Sequence, residues 1–127
     1  MEKGIILCDT NILIEFYKNN QDIVARLQDI GSNNIAISAV TAGELLFGAL
    51  NKKEVQAIKK DIEHLVLFHI NDLISQKFIE LMLQYSKSHG LTIPDALIAA
   101  TALVNNISLY TLNVNDFKFI SGLTLYN

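Results

Sequence analysis

The chain has one cysteine, Cys8, one proline, Pro94, one arginine, Arg26, and no tryptophan in 127 residues. A lone cysteine excludes an internal disulfide and any cysteine-based zinc site. Ten basic side chains against thirteen acidic ones give a net charge of -3. That is too little positive charge to blanket a nucleic acid, which argues against a general duplex binder but leaves room for a nuclease whose carboxylates hold metal. Long apolar runs are missing too. The stretch from Ile35 to Leu50 contains Glu44, the stretch from Ala96 to Val104 is too short for a membrane span, and Ile5 to Cys8 stops at Asp9, short of a signal-peptide core. A cytoplasmic protein with no membrane association is expected. What is plentiful is hydrophobic residues, 50% of the chain, which excludes disorder. The length suits one domain with a buried core, so residues 1–127 are expected to carry any active site on one fold.

Five short apolar runs read as strands: Gly4 to Cys8, Asn34 to Ser38, Leu65 to His69, Ile107 to Tyr110 and Leu123 to Tyr126. They are nearly continuous in Ile, Leu and Val, as strands covered on both faces are. Helical patterns fill the gaps: Ile12 to Tyr17, Ile23 to Ile30 with Gly31 as a stop, Thr41 to Leu50, and Lys53 to His64. Asn71 reads as the N-cap of a longer helix ended by Gly90, and Pro94 fits the first turn of an almost wholly apolar, buried helix, Asp95 to Asn105. Strands alternating with helices imply right-handed crossovers. The fold class is therefore α/β, a three-layer α/β/α domain with a mostly parallel, five-stranded sheet.

Ligands of open α/β sheets bind beyond the carboxyl ends of the strands. Four acids fall there. Asp9 follows the first strand, in Asp9-Thr10-Asn11. Glu44 sits on the helix after the second, Asp95 opens the buried helix, and Asp116 follows the fourth strand in Thr111-Leu112-Asn113-Val114-Asn115-Asp116. Each has an ordinary explanation as a cap, a first-turn acid or a loop acid. Glu44 is the hardest to explain that way, lying among Ala42, Leu45, Leu46 and Phe47 with no basic neighbour. If the oxygens converge to about 5 Å, each pair repels by about 3 kcal/mol at an effective dielectric of 20. Such a cluster needs a cation, and an all-oxygen donor set favours Mg²⁺ or Mn²⁺ over zinc. Cys8 reads as core, and His64, His69 and His89 are too scattered for a metal site. Lys52, Lys53, Lys59 and Lys60 read as a solvated helix face.

Taken together, Asp9-Thr10-Asn11, Glu44 in its Ala/Gly-rich helix, Pro94-Asp95-Ala96-Leu97-Ile98-Ala99-Ala100, and Thr111-x-Asn113-x-x-Asp116-Phe117 resemble the PIN-domain family. The likeness is greatest to its small VapC-like ribonucleases, toxins of type II toxin–antitoxin pairs, and covers nearly the whole chain. It implies a metal-dependent endoribonuclease with Asp9, Glu44, Asp95 and Asp116 as catalytic and metal-binding acids. Thr10, Asn11, Thr111 and Asn113 match supporting positions, and Ser38 is a further candidate for contacting phosphate or carboxylate. Leu112 departs from the pattern, where many relatives carry a basic residue.

The partners so implied are an RNA substrate, a cognate antitoxin protein and a second copy of the chain, with the helix faces around Phe16, Tyr17, Phe47 and Leu50 as candidate surfaces. A housekeeping RNA-processing nuclease on the same fold fits these residues equally well. A response-regulator receiver fits poorly: Asn71-Asp72 begins a helix where a phospho-accepting Asp is needed, and no lysine follows Leu123. An aspartyl-phosphate phosphotransferase needs a second Asp two residues after Asp9, where Asn11 stands.

Overall fold

The computed structural model describes residues 4–127. Four short strands form one sheet: β1 (Ile6–Cys8), β2 (Ile35–Ser38), β3 (Val66–Phe68) and β4 (Ser108–Tyr110). Their order is β3-β2-β1-β4 and every pairing is parallel, with Leu7 beside Ala36 on one side and Leu109 on the other. The expected three-layer α/β/α architecture is present, with a smaller sheet than the sequence suggested. The run from Leu123 to Tyr126 contributes a single parallel bridge, Leu109 to Leu125. Two backbone hydrogen bonds hold it, Leu109 N–H to Thr124 O and Tyr126 N–H to Leu109 O. The segment Leu123-Thr124-Leu125-Tyr126 thus lies against the edge of the sheet beside β4 without forming a ladder along it.

Six helices connect and cover the strands: α1 (Thr10–Tyr17), α2 (Gln21–Ile30), α3 (Ala39–Phe47), α4 (Lys52–Glu63), α5 (Asp72–Tyr85) and α6 (Ile93–Asn105). Their starts obey simple capping chemistry. Asn20, Asn51 and Asn71 each accept the N–H of the residue three places on. Ser38 and Thr92 do the same with hydroxyls at α3 and α6, and Pro94 occupies the first turn of α6. α5 ends at Tyr85, ahead of Gly90. The intervening turn closes with Leu91 N–H on Tyr85 O, and Gly90, at φ +70°, makes the left-handed reversal that a Cβ would oppose.

The core lies on both sheet faces. On one, α5 and α6 pack Ile74, Leu81, Ile98 and the small Ala96, Ala99, Ala100 and Ala102 against Leu7, Leu109 and Phe117. On the other, α1 and α2 bring Ile12, Leu13, Ile23 and Leu27 against Cys8, Ile35 and Ile37. Cys8 is fully buried and its thiol is pushed up to about 12, first by burial and then by the Asp9 charge, so it stays protonated and inert. Among the described residues no helix is long and apolar enough to cross a membrane.

Phe117 is the bulkiest of the fully buried side chains. Phe117→Ala is expected to cost about 3–5 kcal/mol of stability through lost burial and the cavity left behind. Urea unfolding followed by circular dichroism measures it, and a cost below about 1 kcal/mol, the size of an ordinary surface change, would show that this end of the core is not packed as described.

Candidate active site

β1 is the pivot of the sheet. The chain leaves it for β2 and β3 on one side and returns to β4 on the other, so the switch in strand order falls between β1 and β4. Such a point opens a crevice at the strands' carboxyl ends. Asp9 lies there, 5% exposed, its N–H bonded to Tyr110 O at 2.9 Å. As N-cap of α1 it accepts Thr10 N–H on Oδ1 at 2.8 Å, and its Oδ2 accepts the Thr111 hydroxyl at 2.8 Å. Each oxygen retains a lone pair beyond the bond it has accepted.

Thr111 is itself held in place. Its Oγ1 accepts Asn113 N–H at 3.0 Å and faces Asn11 Nδ2 at 3.5 Å, while Asn11 Oδ1 accepts Leu112 N–H at 3.3 Å. Asn11 therefore ties the start of α1 to the segment after β4. Asn113 enters this network through its backbone, and its side chain is exposed. Across the site, the Thr10 hydroxyl donates to Glu44 Oε1 at 2.6 Å and lies 3.0 Å from the Thr41 hydroxyl. Thr10, the second residue of Asp9-Thr10-Asn11, thus reaches from α1 to α3. Ser38 is fully buried and caps α3 through Thr41 N–H at 3.2 Å, a structural role in place of the phosphate contact considered from sequence.

Asp95 is half-buried in the first turn of α6, its N–H directed at Thr92 Oγ1 at 3.4 Å. Its carboxyl is pushed up to about 6, first by burial and then by the negative charges of Asp9, Asp116 and Glu44, against a lowering hydrogen bond from Thr92. Asp9 is also raised, chiefly by burial, with Glu44 and Asp116 adding to it and the bonds from Thr111 and Thr10 opposing it. All four expected acids therefore share one electrostatic neighbourhood. Glu44 and Asp116 are exposed, and Asp116 closes a short 3-10 turn, Val114–Asp116.

The arrangement stops short of a preformed cage. Among the described residues, no three His, Cys, Asp or Glu side chains stand close enough together to hold an ion between them. The donor chemistry nonetheless suits a hard divalent cation, since the groups that influence Asp9 and Asp95 electrostatically here are carboxylates with all-oxygen donors. Among the described residues the ion pairs join Lys18 to Glu15 and Lys77 to Glu80, and none reaches these acids.

Two apolar grooves run beside the acids instead of over them. One, of about 450 Å³, passes between α1 and α4 and touches Glu44. The other, of about 440 Å³, is floored by Leu13, Leu27 and Ile35. Between them Tyr17 donates its hydroxyl to Asp61 at 2.8 Å.

Two side chains of the site were not singled out from sequence, Thr41 and Thr92. Thr92 had a visible signal, since Thr92-x-x-Asp95 is a capping-box spacing. Thr41 had none beyond lying one turn before Glu44, because its partner, Thr10, is 31 residues away.

Residues 6–121 match the model of the PIN domain. The chain belongs to the PIN-domain family. It is 32% identical to ribonuclease VapC1 of Methanocaldococcus jannaschii, over 99% of this chain and 90% of that protein. It is likewise 32% identical to ribonuclease VapC2 of Rickettsia felis, over 97% of each. It superposes on a chain of a toxin–antitoxin complex from Klebsiella pneumoniae with a TM-score of 0.80 and 29% identity, covering 94% of this chain and 95% of that one. The chain is thus homologous to the VapC-type toxins of type II toxin–antitoxin systems, which supports a nuclease-like toxin role.

The raised Asp95 carboxyl has a measurable consequence. Between 3.8 and about 6 the folded chain keeps a proton that the unfolded chain releases, so raising the pH through that window favours unfolding. In chelator, stability is expected to fall from pH 4 to pH 6 with a smaller slope in Asp95→Asn than in wild type. Urea midpoints across that range give both slopes, and equal ones would show that Asp95 is not under this pressure.

Proposed function

We propose that residues 1–127 form a single nuclease domain that hydrolyses RNA phosphodiester bonds as a Mg²⁺- or Mn²⁺-dependent endoribonuclease, the toxin of a type II pair. The observation that carries this reading is that the charges of Glu44 and Asp116 raise both Asp9 and Asp95, so that four acids from four separate segments act on one place, and among the described residues no ion pair reaches them. Asp9 and Asp95 are the principal ligands in this reading. Glu44 orients an ion or its water, and Asp116 completes the negative charge. A divalent ion bound there supplies a Lewis acid for the phosphate and a water of lowered pKa.

The chain's own residues prepare the place. The Thr111 hydroxyl and Thr10 N–H fix the plane of the Asp9 carboxylate, so that its remaining lone pairs point in set directions. The first turn of α6 presents Asp95 where the helix dipole favours its charge. Asn11 holds the segment after β4 against α1 by accepting Leu112 N–H, the Asn113 N–H braces Thr111, and in this reading the exposed Asn113 amide orients phosphate.

An antitoxin is the expected protein partner, as in the Klebsiella pneumoniae complex. Phe16 and Tyr17, 40% and 44% exposed, and Phe47 and Leu50, 93% and 85% exposed, offer apolar surface for it or for a second copy. A housekeeping RNA-processing role would use the same acids. A small neighbouring gene encoding a DNA-binding antitoxin decides between the two.

Asp9→Asn keeps the cap on α1, because Asn caps as well as Asp, but removes a formal charge. Manganese affinity is expected to drop by about 100-fold or more, the upper end of what perturbing a ligand's surroundings costs, with the fold unchanged. Calorimetric titration measures this, and equal binding removes Asp9 from the site. In a bacterial host, expression is expected to arrest growth through RNA cleavage and Asp95→Ala to relieve it; full toxicity of a folded Asp95→Ala protein contradicts the mechanism.

The segment after β4 offers a sharper comparison. Asp116→Asn is expected to lower turnover more than Asn113→Ala, since an amide offsets little of a divalent charge. The reverse order of turnover would make Asn113 the direct ligand.

A further inference from the structure

Glu44 is exposed at the edge of the crevice, and an exposed Glu on a helix ordinarily samples several rotamers. Here one of its oxygens is engaged by Thr10 at 2.6 Å, and Thr10 in turn lies 3.0 Å from Thr41. Thr41 is fully buried, and no buried polar side-chain atom lacks a partner among the described residues.

A hydroxyl has one proton. Thr10 can satisfy Glu44 and Thr41 together in only one way: Thr41 donates to Thr10 Oγ1, and Thr10 donates to Glu44. The buried hydroxyl therefore sets the direction of the exposed hydrogen bond. Thr41 is itself fixed, because its N–H is bonded to the Ser38 cap at 3.2 Å and it stands one helical turn before Glu44.

We propose that Thr41 is a positioning residue for Glu44, acting through Thr10 to hold one carboxylate oxygen and leave the other turned toward the cation site. This rests on the metal-dependent reading above. A chain of neutral hydroxyls restrains the carboxylate without cancelling its charge, which a lysine in the same place would do.

The test is Mn²⁺ titration of the full chain, by calorimetry or electron paramagnetic resonance, for wild type, Thr41→Val and Thr41→Ser. Valine keeps the volume and loses the hydroxyl, and serine keeps the hydroxyl. Affinity is expected to fall about tenfold in Thr41→Val, the lower end of the cost of losing an outer-shell partner, and to be retained in Thr41→Ser. In a Glu44→Gln background Thr41→Val is expected to have no further effect. Wild-type affinity in Thr41→Val overturns the proposal, as does an undiminished loss in the Glu44→Gln background. If Thr41→Val loses its thermal transition, Thr41→Cys, similar in volume and a weak donor, replaces it with the same expectation. A wild-type chain that takes up no Mn²⁺ overturns the metal reading itself, and this proposal with it, an outcome distinct from equal binding by wild type and variant.

Discussion

Burying the Asp9 carboxylate at the junction of β1, α1 and β4 sets the terms for the rest of the molecule. Removing that group from water disfavours its charge, and the hydrogen bonds from Thr10 N–H and the Thr111 hydroxyl only partly restore it. The Thr111 bond joins segments 102 residues apart in the chain, so the carboxylate is also a fastening between the first strand and the last. Beside Thr111 the chain is tied back to Asn11, which accepts Leu112 N–H, and the Thr10 hydroxyl reaches Glu44 because α3 packs close to α1. The polar network and the fold are conditions of each other.

Packing on the opposite face delivers Asp95. α6 buries Ala96, Ala99, Ala100 and Ala102, small side chains that allow its backbone to sit close over Leu7 and Leu109. With the helix axis pinned by those contacts and its start pinned by Thr92 and Pro94, Asp95 has little choice of position. A helix assembled from larger residues would stand farther from the sheet and carry Asp95 away from the β1–β4 crevice.

Much of this was legible in the chain itself, for identifiable reasons. The strands are short but unbroken in aliphatic residues, so their existence and parallel arrangement were plain, although Leu65 to His69 shrinks to Val66–Phe68. The helix starts were plain where a capping residue stands alone, as at Asn71. The first helix begins at Thr10 and not Ile12 because Asp9 caps it, a role open to Asp9 from sequence but not carried into the helix boundary. Placing four acids at one sheet edge followed from topology. Their distances did not, since side-chain reach depends on contacts such as Thr10 with Thr41 that join residues far apart in sequence. The weak fifth strand was illegible for a similar reason: whether Leu123 to Tyr126 pairs along its length depends on the length of β4, which is only three residues.

The choice of donors around the acids bears on the proposed chemistry. Threonine hydroxyls and backbone N–H groups orient Asp9, Glu44 and Asp95, and none of these groups carries charge. Helix N-termini add about 0.3–1 kcal/mol of favourable interaction for each acid in or beside a first turn, as Asp9 and Asp95 are. That is less than burial and like-charge repulsion take away, because both carboxyls remain raised. The fold thus puts its rigidity into direction, and among the described residues no ion pair compensates the negative charge. A lysine in the crevice would relieve that tension and stabilise the protein, but it would also compete with a metal ion for the same oxygens. Retaining the tension keeps the carboxylates available, which is what the proposed metal-dependent reading requires of them.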